Sequence, residues 1–301
     1  AAHLGGGALA GTGAVRRFVA LPHTEGCGGT SDGLLLDALV GYLRHPSVRA
    51  AVIVEHGCEK IHNDCLRDRL AAAGLEPSGY GWASVQLDGG NQQVIARIAA
   101  LFAAGLAGAA VAAAPPTEGE VGLEAVRLGV LWTGAAPAPA TAAAAQIVRW
   151  VAAAGGTVLV HAADSLGELL DAARLDGAAP VALPATLPWA HRPPAPGVYV
   201  ADMPTDHWAE QVTGMAASGV DAVLGYAAEH PLQGHPLVPL VQASATPAVL
   251  AHHAADLDVA LAGQPEGWSD QLLAALAAVL SRQRLCRAVE QGNTEVQVTR
   301  G

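Results

Sequence analysis

The chain has 301 residues, room for one large or two ordinary domains. Its net charge is −11, from 16 basic and 27 acidic side chains with no Arg/Lys stripe, which excludes nucleic acid as its main partner. Hydrophobic residues reach 51% while aromatics are only 4%, so small side chains dominate, as in a close-packed α/β protein.

Ala1 to Ala14 is Gly/Ala-rich without a basic n-region and reads as a flexible lead-in, not a signal peptide. Val15 to Leu21 reads as a strand and Gly26 to Gly29 as its turn. Thr30, Ser31 and Asp32 offer N-cap oxygens for a helix from Gly33 to Arg44, which His45-Pro46 stops. A second strand, Ala50 to Val54, leads to the Gly57-Cys58-Glu59 turn and a helix from Asn63 to Ala73. Val85 to Leu87 is expected as a third strand, followed by a helix from Gln92 to Ala104. This βαβαβα order predicts a parallel sheet covered on both faces. The uncharged run Ile98 to Pro116 is mainly Ala and Gly, which insert weakly into lipid, and is expected as a buried helix with no membrane partner.

Pro115 to Glu120 is the expected linker, dividing a unit at 1–114 from one at 125–301. The second unit is expected to hold strands Leu128 to Trp132, Thr157 to His161, Gly197 to Val200 and Asp221 to Gly225. Helices are expected at Thr141 to Ala154, Leu166 to Arg174, Glu210 to Ser218 and Trp268 to Gln283. Pro180 to Pro196 reads as a surface loop, Val238 to Gln242 and Ala248 to Leu250 as short extended pieces, and Arg284 to Arg300 as a docking arm. The fold class is thus α/β, with two parallel-sheet units and helices on both faces, and the repeated strand, Gly turn, helix order suggests a duplicated half.

The chemistry-bearing residue types gather at two strand ends, His23-Thr24-Glu25-Gly26-Cys27-Gly28-Gly29 and Glu55-His56-Gly57-Cys58-Glu59-Lys60. Open α/β sheets keep their sites at such ends. His23, Cys27, His56, Cys58, Glu59 and His62 form a mixed N/S/O set suited to a divalent ion, although no closed zinc-type spacing is present. Small buried thiols under a glycine turn, and surface histidines at a helix start, explain the same residues. Lys60 is the single lysine among 16 Lys and Arg residues, and an ammonium, unlike a guanidinium, loses its proton near neutral pH in the right setting. Lys60 or His23 is therefore a candidate base, with Glu25 and Glu59 as candidate acids or ligands. Gly26, Gly28 and Gly29 before a capped helix would form a nest of N–H groups for a carboxylate or phosphate. The four cysteines make no CxxC pair, so reduced thiols and a cytoplasmic location are expected.

The order of these motifs resembles the altronate/galactarate dehydratase family of sugar-acid dehydratases. Ala14-Val15-Arg16-Arg17 and His23 to Gly28 stand where the family has its opening motif, and His45-Pro46-Ser47 with Gly57-Cys58-Glu59 stand for its next one. Gln86 to Gly90, Ala201 to Thr205, and Thr213-Gly214 to Gly219 follow in family order. The resemblance implies a hydro-lyase with a divalent metal, iron or manganese above zinc, for which Cys27, His56, Cys58 and Glu59 are the expected ligands. Lys60, His23, Glu25 and Asp202 are the expected catalytic residues, with Arg16, Gly26, Gly28, Gly29 and Thr213 expected to bind a small anionic substrate. A homo-oligomer is expected, together with a separate small β-domain subunit such as the sulfolactate sulfo-lyases keep. Three departures favour a binding-only paralogue instead. Trp132-Thr133-Gly134-Ala135-Ala136 lacks the family's thiol and carboxylate, Ala227 to Pro231 lacks its arginine, and Val241-Gln242 lacks its lysine.

Overall fold

The structure is a computed structural model, and it describes residues 17–23, 32–112, 120–161 and 185–298. The α/β reading is correct: among the described residues every strand pairing is parallel, in a two-stranded and a seven-stranded sheet.

Among the described residues, helix α1 spans Asp32–Leu43, strand β1 Val52–Glu55, α2 Asn63–Ala72, β2 Gly81–Ser84 and α3 Asn91–Ala112. β1 and β2 pair from Val52 opposite Gly81 to Glu55 opposite Ser84. Two expectations fail here. Residues 17–23 take no strand: Phe18 makes an edge-on contact with Phe102 of α3, at 5.1 Å, which leaves its ring half-buried without a ladder. The third strand lies at Gly81–Ser84 and not at Val85 to Leu87, because Asp88 accepts the Ser84 N–H at 2.8 Å and turns the chain there. Gly81 fits this strand because a Cβ there would sit 2.8 Å from Val52 Cγ2.

The larger sheet holds β3 (Arg127–Trp132), β4 (Thr157–His161), β5 (Ala185–Leu187), β6 (Gly197–Ala201), β7 (Ala222–Tyr226), β8 (Leu240–Ser244) and β9 (Val259–Ala260). Their spatial order is β5-β6-β4-β3-β7-β8-β9, so the chain changes direction across the sheet between β3 and β7. Alternation along the strands serves two apolar layers. Leu128, Val130, Val158, Val160 and Leu224 pack with α4 (Ala138–Ala153) and α7 (Trp268–Leu280). Leu131, Leu159, Val223 and Leu240 pack with α5 (Trp208–Ala217) and with Leu35, Ala38 and Tyr42 of α1. α6 (Pro247–His253) replaces the expected extended piece at Ala248 to Leu250, since Pro247 sits at a first helical position where its missing N–H costs nothing. α8 (Arg287–Glu290) opens the C-terminal arm. The arm docks as expected: Val296 and Val298 are buried, and Glu295 N–H bonds Gly234 O at 3.0 Å. The helix expected at Leu166 to Arg174 lies outside the described residues, as does most of the expected linker.

α1 connects the two sheets. Val40 joins Leu66 and Leu70 of α2 on one side, while Ala38 and Tyr42 enter the large core on the other. A Cβ at Gly41 would stand 2.2 Å from Ala217 O, so glycine is what lets α1 and α5 touch. No described helix is long and apolar enough to cross a membrane.

Candidate functional site

The C-terminal edge of β1 and β2 is a turn fixed by carboxylates. Glu55, the last residue of β1, is buried and accepts the Asn63 N–H at 2.6 Å, closing the first turn of α2 as a cap does. Glu59 folds back on its own turn, accepting from the N–H groups of His56 at 2.5 Å, Gly57 at 2.7 Å and Cys58 at 3.0 Å. Gly57 has φ +108°, which few side chains tolerate, and its carbon faces Gln86 and Ser84, so the turn needs glycine. Burial pushes the Glu59 carboxyl up, but its backbone N–H bonds outweigh that and hold it below the ordinary carboxylate value.

Around this turn Cys58 Sγ lies 3.3 Å from His56 Nδ1, and Gln86 Nε2 approaches the same nitrogen at 3.5 Å. His56, Cys58 and Lys60 are exposed on one edge. His62 is exposed and 4.0 Å from Glu55, so it lies beside the cap. Among the described residues no group of three or more His, Cys, Asp or Glu side chains converges as a metal site would. His56 and Cys58 provide two donors, and Glu59 is engaged by backbone amides. The described residues alone therefore do not fit a metal ion.

The remaining sequence candidates scatter. His23 is exposed at the end of a described segment, while Arg16, Glu25, Gly26, Cys27, Gly28 and Gly29 lie outside the described residues. Asp202 is exposed just after β6, and its N–H bonds Leu187 O at 2.8 Å. Thr213 is fully buried in α5: its carbonyl accepts from Tyr42 Oη at 3.0 Å and its hydroxyl from Gln297 N–H at 3.2 Å. That position gives Thr213 a packing role with no surface for a substrate. The His252, His253, Asp256 and Asp258 group does not close on an ion either. His253 lies 3.7 Å from Asp256, while Asp258 accepts the Gln242 and Arg287 N–H groups at 2.9 and 3.0 Å.

Residues 4–110 match the family model described as D-galactarate dehydratase/altronate hydrolase, second domain. Over this span the chain is similar to that family. The family is one of sugar-acid dehydratases, and the matched span contains β1, β2 and the His56 to Lys60 turn. No curated protein matches the chain.

The eroded second-half positions have structural occupations. Thr133 Oγ1 donates to Tyr226 O at 2.8 Å and accepts the Ala228 N–H at 3.2 Å, tying β3 to β7 at the reversal point. Gln242 is buried and clamps Leu232 through both its amide atoms, each at 2.7 Å. Sequence reasoning passed over two residues that the structure brings forward, His161 and Gln211, which lie 3.2 Å apart at the end of β4. Their signal was position alone: His161 closes an otherwise apolar strand, at the edge where such sheets bind ligands.

Proposed function

We propose that this chain is a hydro-lyase of a small hydroxy acid or sugar acid, with its chemistry at the β1–β2 edge. The observation that carries the proposal is that the family match covers the edge where a carboxylate-fixed turn presents His56, Cys58 and Lys60 together. Dehydration of a 2,3-dihydroxy acid removes a weakly acidic proton beside a carboxylate and expels the neighbouring hydroxyl, so it needs a base, an acid and something to hold the charge. Lys60 or His23 takes the role of base. Backbone N–H groups like those that hold Glu59 suit an anionic oxygen.

The divalent ion implied by the resemblance remains part of this proposal as a charge-stabilising group. Since the described donors alone do not fit it, no step is assigned to it. Metal analysis addresses that part separately: stoichiometric iron or manganese that falls on Cys58→Ala supports it, and metal-free active protein removes it.

The test is formation of a 2-oxo acid from galactarate, altronate and related acids by the purified chain. Lys60→Met is expected to slow turnover by about 10²-fold or more, the scale of losing one acid/base group. Turnover unchanged in Lys60→Met removes this base, and saturable binding without any 2-oxo acid leaves a binding protein. That second reading has its own support, since Thr133 and Gln242 are committed to structure where the family carries reactive or charged groups.

A further inference from the structure

His161 ends β4 between β3 and β6, at the C-terminal edge of the seven-stranded sheet, and is 6% exposed. Its Nε2 is 3.2 Å from Gln211 Nε2, and the same amide nitrogen lies 3.1 Å from Thr205 O. An amide NH₂ has two hydrogens and no acceptor to offer. One hydrogen therefore goes to the Thr205 carbonyl and the other to His161. The reverse placement of the amide would set its oxygen against the Thr205 oxygen. His161 Nε2 is then the acceptor, and the ring proton is on Nδ1. That Nδ1–H is buried and has no hydrogen-bond partner among the described residues.

A buried donor without an acceptor is costly, and folded proteins rarely keep one without a use. Here the orphan is held in place by two segments the sequence marks out: the turn from Asp202 to Thr205, and α5, which carries Gln211. Asp202 and Asp206 are exposed on the same loop, and the Asp206 charge acts on the His161 ring. Burial outweighs that charge and holds the imidazole below its ordinary value, hence neutral and able to donate. The Asp206 charge repels an incoming carboxylate. A hydroxyl is favoured, because its oxygen accepts from Nδ1–H while its proton goes to a carboxylate.

We infer that His161 is a ligand-contacting residue whose Nδ1–H donates to a hydroxyl oxygen of a polyhydroxy small molecule, with Asp206 accepting a hydroxyl proton and Gln211 as the positioning residue. The sugar-acid identity of that molecule rests on the function proposed above; the hydroxyl chemistry does not. Because Nδ1 is buried, a ligand reaches it only when the chain around it opens.

The experiment follows the imidazole ¹⁵N resonances of the full chain during titration with three probes: galactarate, galactitol and adipate. The first has hydroxyls and carboxylates, the second hydroxyls alone and the third carboxylates alone. Galactarate and galactitol are expected to shift the His161 signals saturably, and adipate to leave them in place. His161→Phe, with an unchanged melting temperature, is expected to weaken galactarate binding roughly tenfold, the scale of one uncharged hydrogen bond. Gln211→Glu, which no longer donates to Nε2, is expected to move the ring proton to Nε2 and weaken galactitol binding. Galactarate that binds or turns over with His161 signals unmoved overturns this site and leaves the lyase standing. Saturable shifts with no 2-oxo acid formed support the site and remove the lyase. Response to no probe at all, as when an ordered water alone satisfies Nδ1, overturns the site.

Discussion

At the turn after β1, the Glu59 carboxylate faces the N–H groups of His56, Gly57 and Cys58. A carboxylate two residues beyond a glycine serves equally as a metal ligand or as an anchor for its own turn, and residue type does not separate the two. That is why the sequence marks the right turn but leaves the role of Glu59 open. The same limit hid His161, since a lone histidine after four buried residues reads as core until Gln211 supplies its partner. Glu59→Ala is expected to speed hydrogen exchange at residues 56–58 while lowering global stability by less than about 1 kcal/mol, because water replaces bonds at a surface turn. Since the folded Glu59 carboxyl is held below its ordinary value of 4.5, the turn keeps its anchor above that pH and loses it as pH falls through the lower folded value. Exchange at residues 56–58 that is the same in Glu59→Ala as in the parent would show that the carboxylate anchors nothing.

At the scale of elements, five of the seven strands of the larger sheet were legible as apolar runs closed by turns, as in Thr157 to His161, where expected and observed limits coincide, whereas β5 lies inside the stretch expected as a surface loop, its first two residues exposed, and the two-residue β9 was not expected. The expected first strand misled, because Phe18 beside Val19 and Leu21 carries a strand's composition, yet the described residues stay at most half-buried, Phe18 against Phe102 of α3 and Leu21 against the larger core, and do not pair. The docking of α1 onto the seven-stranded sheet was also hidden, since its apolar residues serve two cores at once and no spacing names the partner. One glycine tests that docking and a second, in α3, is its control. Gly41→Ala places a Cβ against the Ala217 carbonyl, and its overpacking cost of about 1–3 kcal/mol exceeds a helix-propensity gain of about 1 kcal/mol. Gly105→Ala in α3 meets nothing within 4 Å and is expected to stabilise by up to about 1 kcal/mol. Urea denaturation reads both, and a stabilised Gly41→Ala would contradict the close α1–α5 contact.

Over the whole molecule, the α1 region is fastened to the core of the seven-stranded sheet by neutral histidines. His235 is fully buried, and its Nδ1 accepts the Leu237 and Val238 N–H groups, both at 3.1 Å, so its proton is on Nε2, which donates to Tyr42 Oη. Tyr42 in turn donates to Thr213 O at 3.0 Å. His45 repeats the pattern, with Nδ1 accepting from Ser47 N–H at 3.1 Å and Nε2 donating to Val220 O at 3.0 Å. Burial pulls His235 down to about 3, with His45 and Arg17 adding repulsion. Burial also lowers His45, against the Val220 bond and Asp221, while Arg127 and Arg192 add to the lowering. Above pH 6.5 both states of the chain leave these rings neutral and the fastening is intact. Below it the unfolded chain gains protons that the folded chain refuses, so stability falls with pH until about 3 for His235. The slope is up to about 1.4 kcal/mol per pH unit for each histidine. Between pH 5 and 7, where most carboxylates stay ionised, urea unfolding is expected to show this loss, and His235→Gln to flatten it by about one proton's worth. An equal slope in parent and His235→Gln would mean that His235 titrates alike in both states and does not act as an acid-sensitive fastener.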